Sequence, residues 1–122
     1  MHTVILTPSF LADAKASDLS EEEKDDIVSF VSKNPREGDM MEGTGGCYKL
    51  RFAGRGKGKS GGYRTVHYFA GDDVPILLLA LINKGESDNL GKAERNELRK
   101  ELAGYADDYR KGIESRIAQM RK

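Results

Sequence analysis

Six cations, Lys49, Arg51, Arg55, Lys57, Lys59 and Arg64, fall within residues 43–71, a stretch without a single acid. Tyr48, Tyr63, His67 and Tyr68 are interleaved with them, and Lys84 follows the next apolar run. Cations at this density hold phosphodiesters, aromatic rings stack on unpaired bases, and glycine-rich backbone lets amides approach phosphate closely. Single-stranded RNA is the ligand that these residue types match best. A solvated basic loop would explain Arg55 and Lys57, but it does less well for Lys49, Arg51 and Arg64, which lie in strand-like sequence.

Other chemistries fit less well. The run Ala53-Gly54-Arg55-Gly56-Lys57-Gly58-Lys59-Ser60 satisfies a loose phosphate-loop pattern. Such a loop must lead into a helix whose N-terminal amides hold the phosphates, whereas Gly61-Gly62 leads into the β-rich run Tyr63 to Phe69. Nucleophilic catalysis needs a histidine base beside the nucleophile, yet Cys47 and His67 fall in separate strand-like runs with no supporting motif. Cys47 is expected to be a core or edge thiol, and His67 a polar strand residue beside the cations. One cysteine with His2 and His67 cannot complete a four-ligand zinc site of those residue types, and the basic third lacks paired carboxylates. No cofactor is expected.

The elements that must position these residues follow from periodicity. Thr3-Val4-Ile5-Leu6-Thr7 ahead of Pro8 predicts a strand, and Phe10 to Ala16 a short helix. Ser20 and Glu23 stand at capping-box spacing before the stripe Ile27, Val28, Phe30 and Val31, a helix that should stop at Asn34-Pro35. The two helices are expected to form a hairpin. Tyr48, Leu50 and Phe52 alternate with Lys49 and Arg51 in one strand, while Arg64, Val66 and Tyr68 oppose Tyr63, Thr65 and His67 in the next. Val74 to Ile82 reads as a strand buried on both faces, and Leu98, Leu102, Tyr105, Tyr109, Ile113, Ile117 and Met120 mark a long C-terminal helix. That helix contains Gly104 and Gly112 and overhangs a small domain, which leaves its end for a partner. The order is β-α-α-β-β-β-α.

The chain has 122 residues, 38% hydrophobic and 33% charged, which suits one foldable domain. Its formal net charge of zero conceals segregation. Residues 1–42 carry ten acids against four bases, the middle third is purely basic, and residues 72–122 are balanced at ten of each. No apolar run is long enough to cross a bilayer, and a cytoplasmic protein is expected.

Three segments together resemble the RelE/HigB-like toxins of type II toxin–antitoxin systems: Tyr48-Lys49-Leu50-Arg51-Phe52-Ala53, Gly58-Lys59-Ser60-Gly61-Gly62-Tyr63-Arg64, and the apolar strand ending in Asn83-Lys84-Gly85-Glu86. The resemblance spans about residues 1–105. It implies an α+β fold with a small, mainly antiparallel sheet, an N-terminal helical hairpin and a C-terminal helix. Residues 1–122 would form one RelE-like domain, with 105–122 a helical extension. It also implies a metal-independent ribonuclease that cuts mRNA on the ribosome and is neutralised by a cognate antitoxin, expected to be a small helix-turn-helix protein.

Carried over by position, the resemblance matches Lys49, Arg51, Arg64 and Lys84 to basic residues of the family's site, and Lys57 and Lys59 to its glycine-loop variant. Lys49, Arg51, Lys59, Arg64 and Lys84 are the candidate catalytic residues, and the chemistry of the basic stretch makes Arg55, Lys57, Ser60, Tyr63, His67 and Tyr68 the candidate RNA contacts. Attack by a ribose 2′-OH requires a base, stabilisation of a charged phosphorane and protonation of the leaving 5′ oxygen. With no carboxylate in the basic third, lysines would move the protons, Lys49 or Lys59 as base, while Arg64 holds the phosphorane. A tyrosine that some relatives place near the C-terminal side of the site has no secure match, because Tyr105 and Tyr109 fall in the helical stripe and are expected in the core. Relatives of ParE type act on DNA gyrase instead, and a non-catalytic RNA-binding module uses the same cations. These are the two alternatives.

Overall fold

The computed structural model describes residues 1–53, 62–83, 86 and 90–121. Chain order is β1 (Val4–Leu6), α1 (Pro8–Ala16), α2 (Glu21–Lys33), β2 (Asp39–Met40), β3 (Cys47–Phe52), β4 (Tyr63–Tyr68), β5 (Ile76–Asn83) and α3 (Lys92–Met120). The five strands form one sheet in the order β1-β5-β4-β3-β2. β1 pairs parallel to β5, and the other three ladders are antiparallel, so the sheet is mixed. Both edges are very short strands, which limits the unpaired backbone available for pairing with other chains.

Local chemistry sets the element ends. Thr7 caps α1, accepting from Phe10 N–H at 3.3 Å, and its hydroxyl also donates to the Leu78 carbonyl at 2.9 Å. Ser20 and Glu23 form the expected capping box, and three glutamates in the first turn of α2 favour the positive end of its dipole. α2 stops at Lys33, before Pro35. The predicted hairpin takes a different form. α1 packs on β5 and α2 contacts β1, so each helix is placed by the sheet.

The sheet is covered on both faces. On one, Phe10 and Ala14 of α1 and Ile27 and Val31 of α2 meet Tyr48, Leu50, Tyr63, Ile76, Leu78 and Leu81. On the other, Leu98, Leu102 and Tyr105 of α3 meet Cys47, Val66, Tyr68 and Ile82. β5 is therefore the doubly buried strand that its apolar run predicts. It carries a bulge: Val66 pairs with Ala80 and His67 with Leu78, leaving Leu79 as the extra residue. Where β1 ends, α1 side chains take over the β5 edge. The Asp13 carboxylate accepts from Leu81 N–H at 3.0 Å, and Ser17 bonds the Asn83 amide.

Past its sheet contacts, α3 buries Ala106 and is tied to the β4–β5 turn by Arg110, whose guanidinium donates to Asp73 at 2.7 Å and to the Ala70 carbonyl at 3.2 Å. Every residue from Lys111 to Arg121 is exposed. No described helix is long and apolar enough to cross a membrane.

Candidate nucleic-acid interface

The β3–β4 register sets the cations in rows. Arg51 stands directly across from Arg64, and Lys49 across from Val66, with Asp39 of β2 on the other side of Lys49. Arg64 is also paired with Ile82, and Val66 and Ile82 belong to the cluster under α3. Lys49, Arg51 and Arg64 thus share the sheet face that α3 covers, toward the end where β3 finishes and β4 begins. Arg51 is exposed, while Lys49 and Arg64 are half-buried. Arg64 Nη2 donates to the Glu86 carbonyl at 3.0 Å, which fixes the guanidinium without neutralising it.

Like charges directly opposed across a ladder destabilise a sheet. The arrangement is relieved when an anion lies between the two guanidinium groups. The chemical capacity of this face is to hold phosphate.

The aromatic residues expected to stack on bases are committed elsewhere, and this corrects the interleaved picture. Tyr63 is 5% exposed, stacks on Phe52 with centroids 6.0 Å apart, and belongs to the cluster under α1 and α2. His67 is fully buried. Its Nε2 donates to the Pro35 carbonyl at 2.7 Å, and its ring stacks on Tyr48. Burial pushes its pKa down, against the opposing pull of the Pro35 bond, and Nδ1 has no hydrogen-bond partner among the described residues. A neutral, enclosed imidazole has no path to substrate. Tyr68 lies on the cationic side of the sheet but beneath α3, against Cys47 and Tyr105, and burial raises its pKa. A two-residue period puts Tyr63 and His67 on the face opposite the cations, closed by α1 and α2, while Tyr68 shares the cations' face at the end that α3 covers.

Arg55, Lys57, Lys59, Ser60 and Lys84 lie outside the described residues. Cys47 is fully buried, and desolvation raises its thiol pKa more than the Thr44 hydroxyl lowers it, so it is an inert core thiol. The Tyr105 hydroxyl donates to the Pro75 carbonyl at 3.0 Å, holding this ring in the second cluster.

Sequence reasoning missed the division of charge on α3. Lys92 and Arg95 line a depression with Glu42 and Gly43, Arg95 Nη1 donates to the Glu42 carbonyl at 3.1 Å, and Arg99 lies over Gly45. Glu94, Glu97 and Glu101 lie on the flank with Leu90 and Leu98. The signal was present as two interleaved sets at three- and four-residue steps, hidden in a segment of zero net charge.

A mixed five-stranded sheet between helices, with opposed arginines on one face, defines a small α+β protein. The family model described as the RelE toxin of the RelE/RelB toxin–antitoxin system matches residues 3–121. The chain belongs to this toxin family.

Proposed function

We propose that the protein is a ribosome-dependent mRNA endoribonuclease of the cytoplasm, held in check by its antitoxin. The observation that supports this best is the Arg51–Arg64 pair, two arginines directly opposed across the β3–β4 ladder on the half-open sheet face, with Lys49 two residues along the same strand as Arg51. On this reading the arginines bracket the scissile phosphate and stabilise the phosphorane that forms when the ribose 2′-OH attacks. Lys49 or Lys59 takes the hydroxyl proton, and a second cation, with Lys84 as a candidate, protonates the leaving 5′ oxygen. Arg55, Lys57 and Ser60 extend the phosphate contacts. No role in stacking is assigned to Tyr63, His67 or Tyr68, because all three rings are buried.

Purified protein incubated with translating ribosomes tests the proposal. The expected products are mRNA fragments with 2′,3′-cyclic phosphate and 5′-hydroxyl ends, with naked RNA cut far more slowly. Fragments bearing only 5′-phosphates contradict the 2′-OH route. Inhibition of gyrase supercoiling without RNA cleavage favours the ParE-like activity, and RNA binding without cleavage favours a non-catalytic module.

A further inference from the structure

Two features beside the row of Lys49, Arg51 and Arg64 lack an explanation, and they are complementary; the first adjoins that row, since Arg64 pairs with Ile82 and bonds the Glu86 carbonyl. The first is a groove of about 580 Å³ between α1 and α3, open over the edge of β5. Leu79, Ala80 and Ile82 form its floor, Leu98 and Leu102 its wall, and its polar lining includes the acids Asp13, Glu86 and Glu101. Glu94 and Glu97 line an adjoining depression, and no lysine or arginine is among the described residues lining either one. Asp13 and Glu86 accept from backbone N–H groups, and these neutral donors leave their charge in place. Among the described residues, the ion-pair partner of Glu97 is Lys100, a surface contact at 3.8 Å. The groove is thus apolar at its base and acidic at its rim.

The second feature is the free end of α3. Ile113 and Ile117 are 40% and 44% exposed and Met120 is 83% exposed. Their three- and four-residue spacing continues the stripe that packs Leu102 and Ala106 into the core, but beyond the edge of the domain. Arg116 and Arg121 flank this stripe, with Lys111 nearby and Glu114 as the single acid of 111–121. The end of α3 is a basic amphipathic helix, the chemistry that the acidic apolar groove selects.

We propose that the groove of one copy seats the α3 end of a second copy, and that the exchange is reciprocal. Ile113, Ile117 and Met120 would cover the Leu79–Ile82 floor, and Arg116 would meet the Glu97/Glu101 rim. Ten residues of helix span only ~15 Å, too little by themselves for a stable interface of ~800 Å² per partner. A two-fold arrangement makes the contact twice and closes the assembly at a dimer rather than a fibre. RNA is a poor occupant, because five acids repel phosphate.

Sedimentation equilibrium of the full chain, with circular dichroism as the folding control, tests this. The expected result is a dimer that Ile117→Asp abolishes and Glu101→Arg weakens by 10-fold or more in Kd. Glu101→Arg combined with Arg116→Glu should restore affinity to within ~3-fold of wild type, because it re-forms the pair with reversed sign. A protein that stays monomeric at ~100 μM overturns the proposal, including the outcome in which the groove is covered only when antitoxin is bound. Loss of dimer on Ile117→Asp with no response to Glu101→Arg also overturns it, since the tails would then pair with each other. Ribosome-dependent cleavage by Ile117→Asp, measured alongside, keeps this result separate from the proposed enzymatic function.

Discussion

β3 and β4 each carry two rows of side chains with opposite fates. The row of Lys49, Arg51 and Arg64 lies on the face under α3, where the arginines remain in reach of solvent. The row of Tyr48, Leu50, Tyr63 and His67 lies on the other face, closed by α1 and α2. In sequence the two rows alternate, and a cation beside an aromatic ring suggests one nucleic-acid surface. In space the thickness of a sheet separates them. The outward row reaches solvent at its arginine end, while the inward row provides the packing that keeps the outward row in register.

The largest expected effect breaks the outward row alone. Arg64→Ala should slow single-turnover cleavage on saturating ribosome complexes by ~10²–10³-fold, the scale for loss of one preorganised transition-state donor. Folding should survive, since Arg64 is half-buried and its one described hydrogen bond is to the Glu86 carbonyl. Arg64→Lys should recover only part of the rate, because an ammonium cannot reproduce the planar fork of guanidinium. A folded Arg64→Ala protein that cleaves at the wild-type rate removes Arg64 from the catalytic set.

Breaking the inward row should give the opposite pattern. His67→Ala removes a fully buried ring, its stack on Tyr48 and its bond to the Pro35 carbonyl. A loss of about 2–4 kcal/mol in urea unfolding is expected from the cavity and the orphaned carbonyl. The protein that stays folded should cleave at close to the wild-type rate. A large rate defect without loss of stability would return His67 to the functional site.

pH sharpens the same contrast. Burial holds the folded pKa of His67 below the ordinary value near 6.5, so the unfolded chain binds a proton first as pH falls. The stability contributed by neutral His67 is therefore complete above about pH 7.5. It declines as pH falls through 6.5 and is lost by the folded pKa. Unfolding free energies between pH 8 and 5 should show this slope in wild type and a shallower one in His67→Ala. Equal slopes would mean that protonation of His67 is not coupled to unfolding.

Much of the fold was legible because most elements announce themselves locally. The capping box at Ser20, the alternation of Cys47–Phe52 and the apolar run of β5 each correspond to the expected element. β2 was missed because Asp39 and Met40 are both exposed, and two residues have no period. The parallel pairing of β1 with β5 joins residues more than seventy positions apart, and nothing in Val4–Leu6 specifies that neighbour. The cationic row was legible from alternation. The burial of the rings was not, because whether a strand face is open depends on which helix crosses it. Three residues settle that here: Ile27 and Val31 of α2 close one face, and Leu102 of α3 anchors the cover on the other.

The smallest effect concerns that cover. The outward row is open at its Arg51–Arg64 end and closed at its Cys47–Tyr68 end, and α3 makes this difference by packing Leu98, Leu102 and Tyr105 on one part of the face. Gly104 sits in the middle of this contact region with nothing within 4 Å of an added Cβ. Glycine in a helix interior costs ~1 kcal/mol relative to alanine, largely through the freedom of the unfolded chain. Gly104→Ala should therefore stabilise the protein by about 0.5–1 kcal/mol, read as a rise in the urea midpoint at unchanged slope. If α3 is a fixed cover, cleavage stays at the wild-type rate, and the openness of the outward row is a static property of the fold. If the stabilised variant cleaves more slowly, bending at Gly104 widens access to Arg51 and Arg64, and the boundary between open and closed ends of the row moves during turnover.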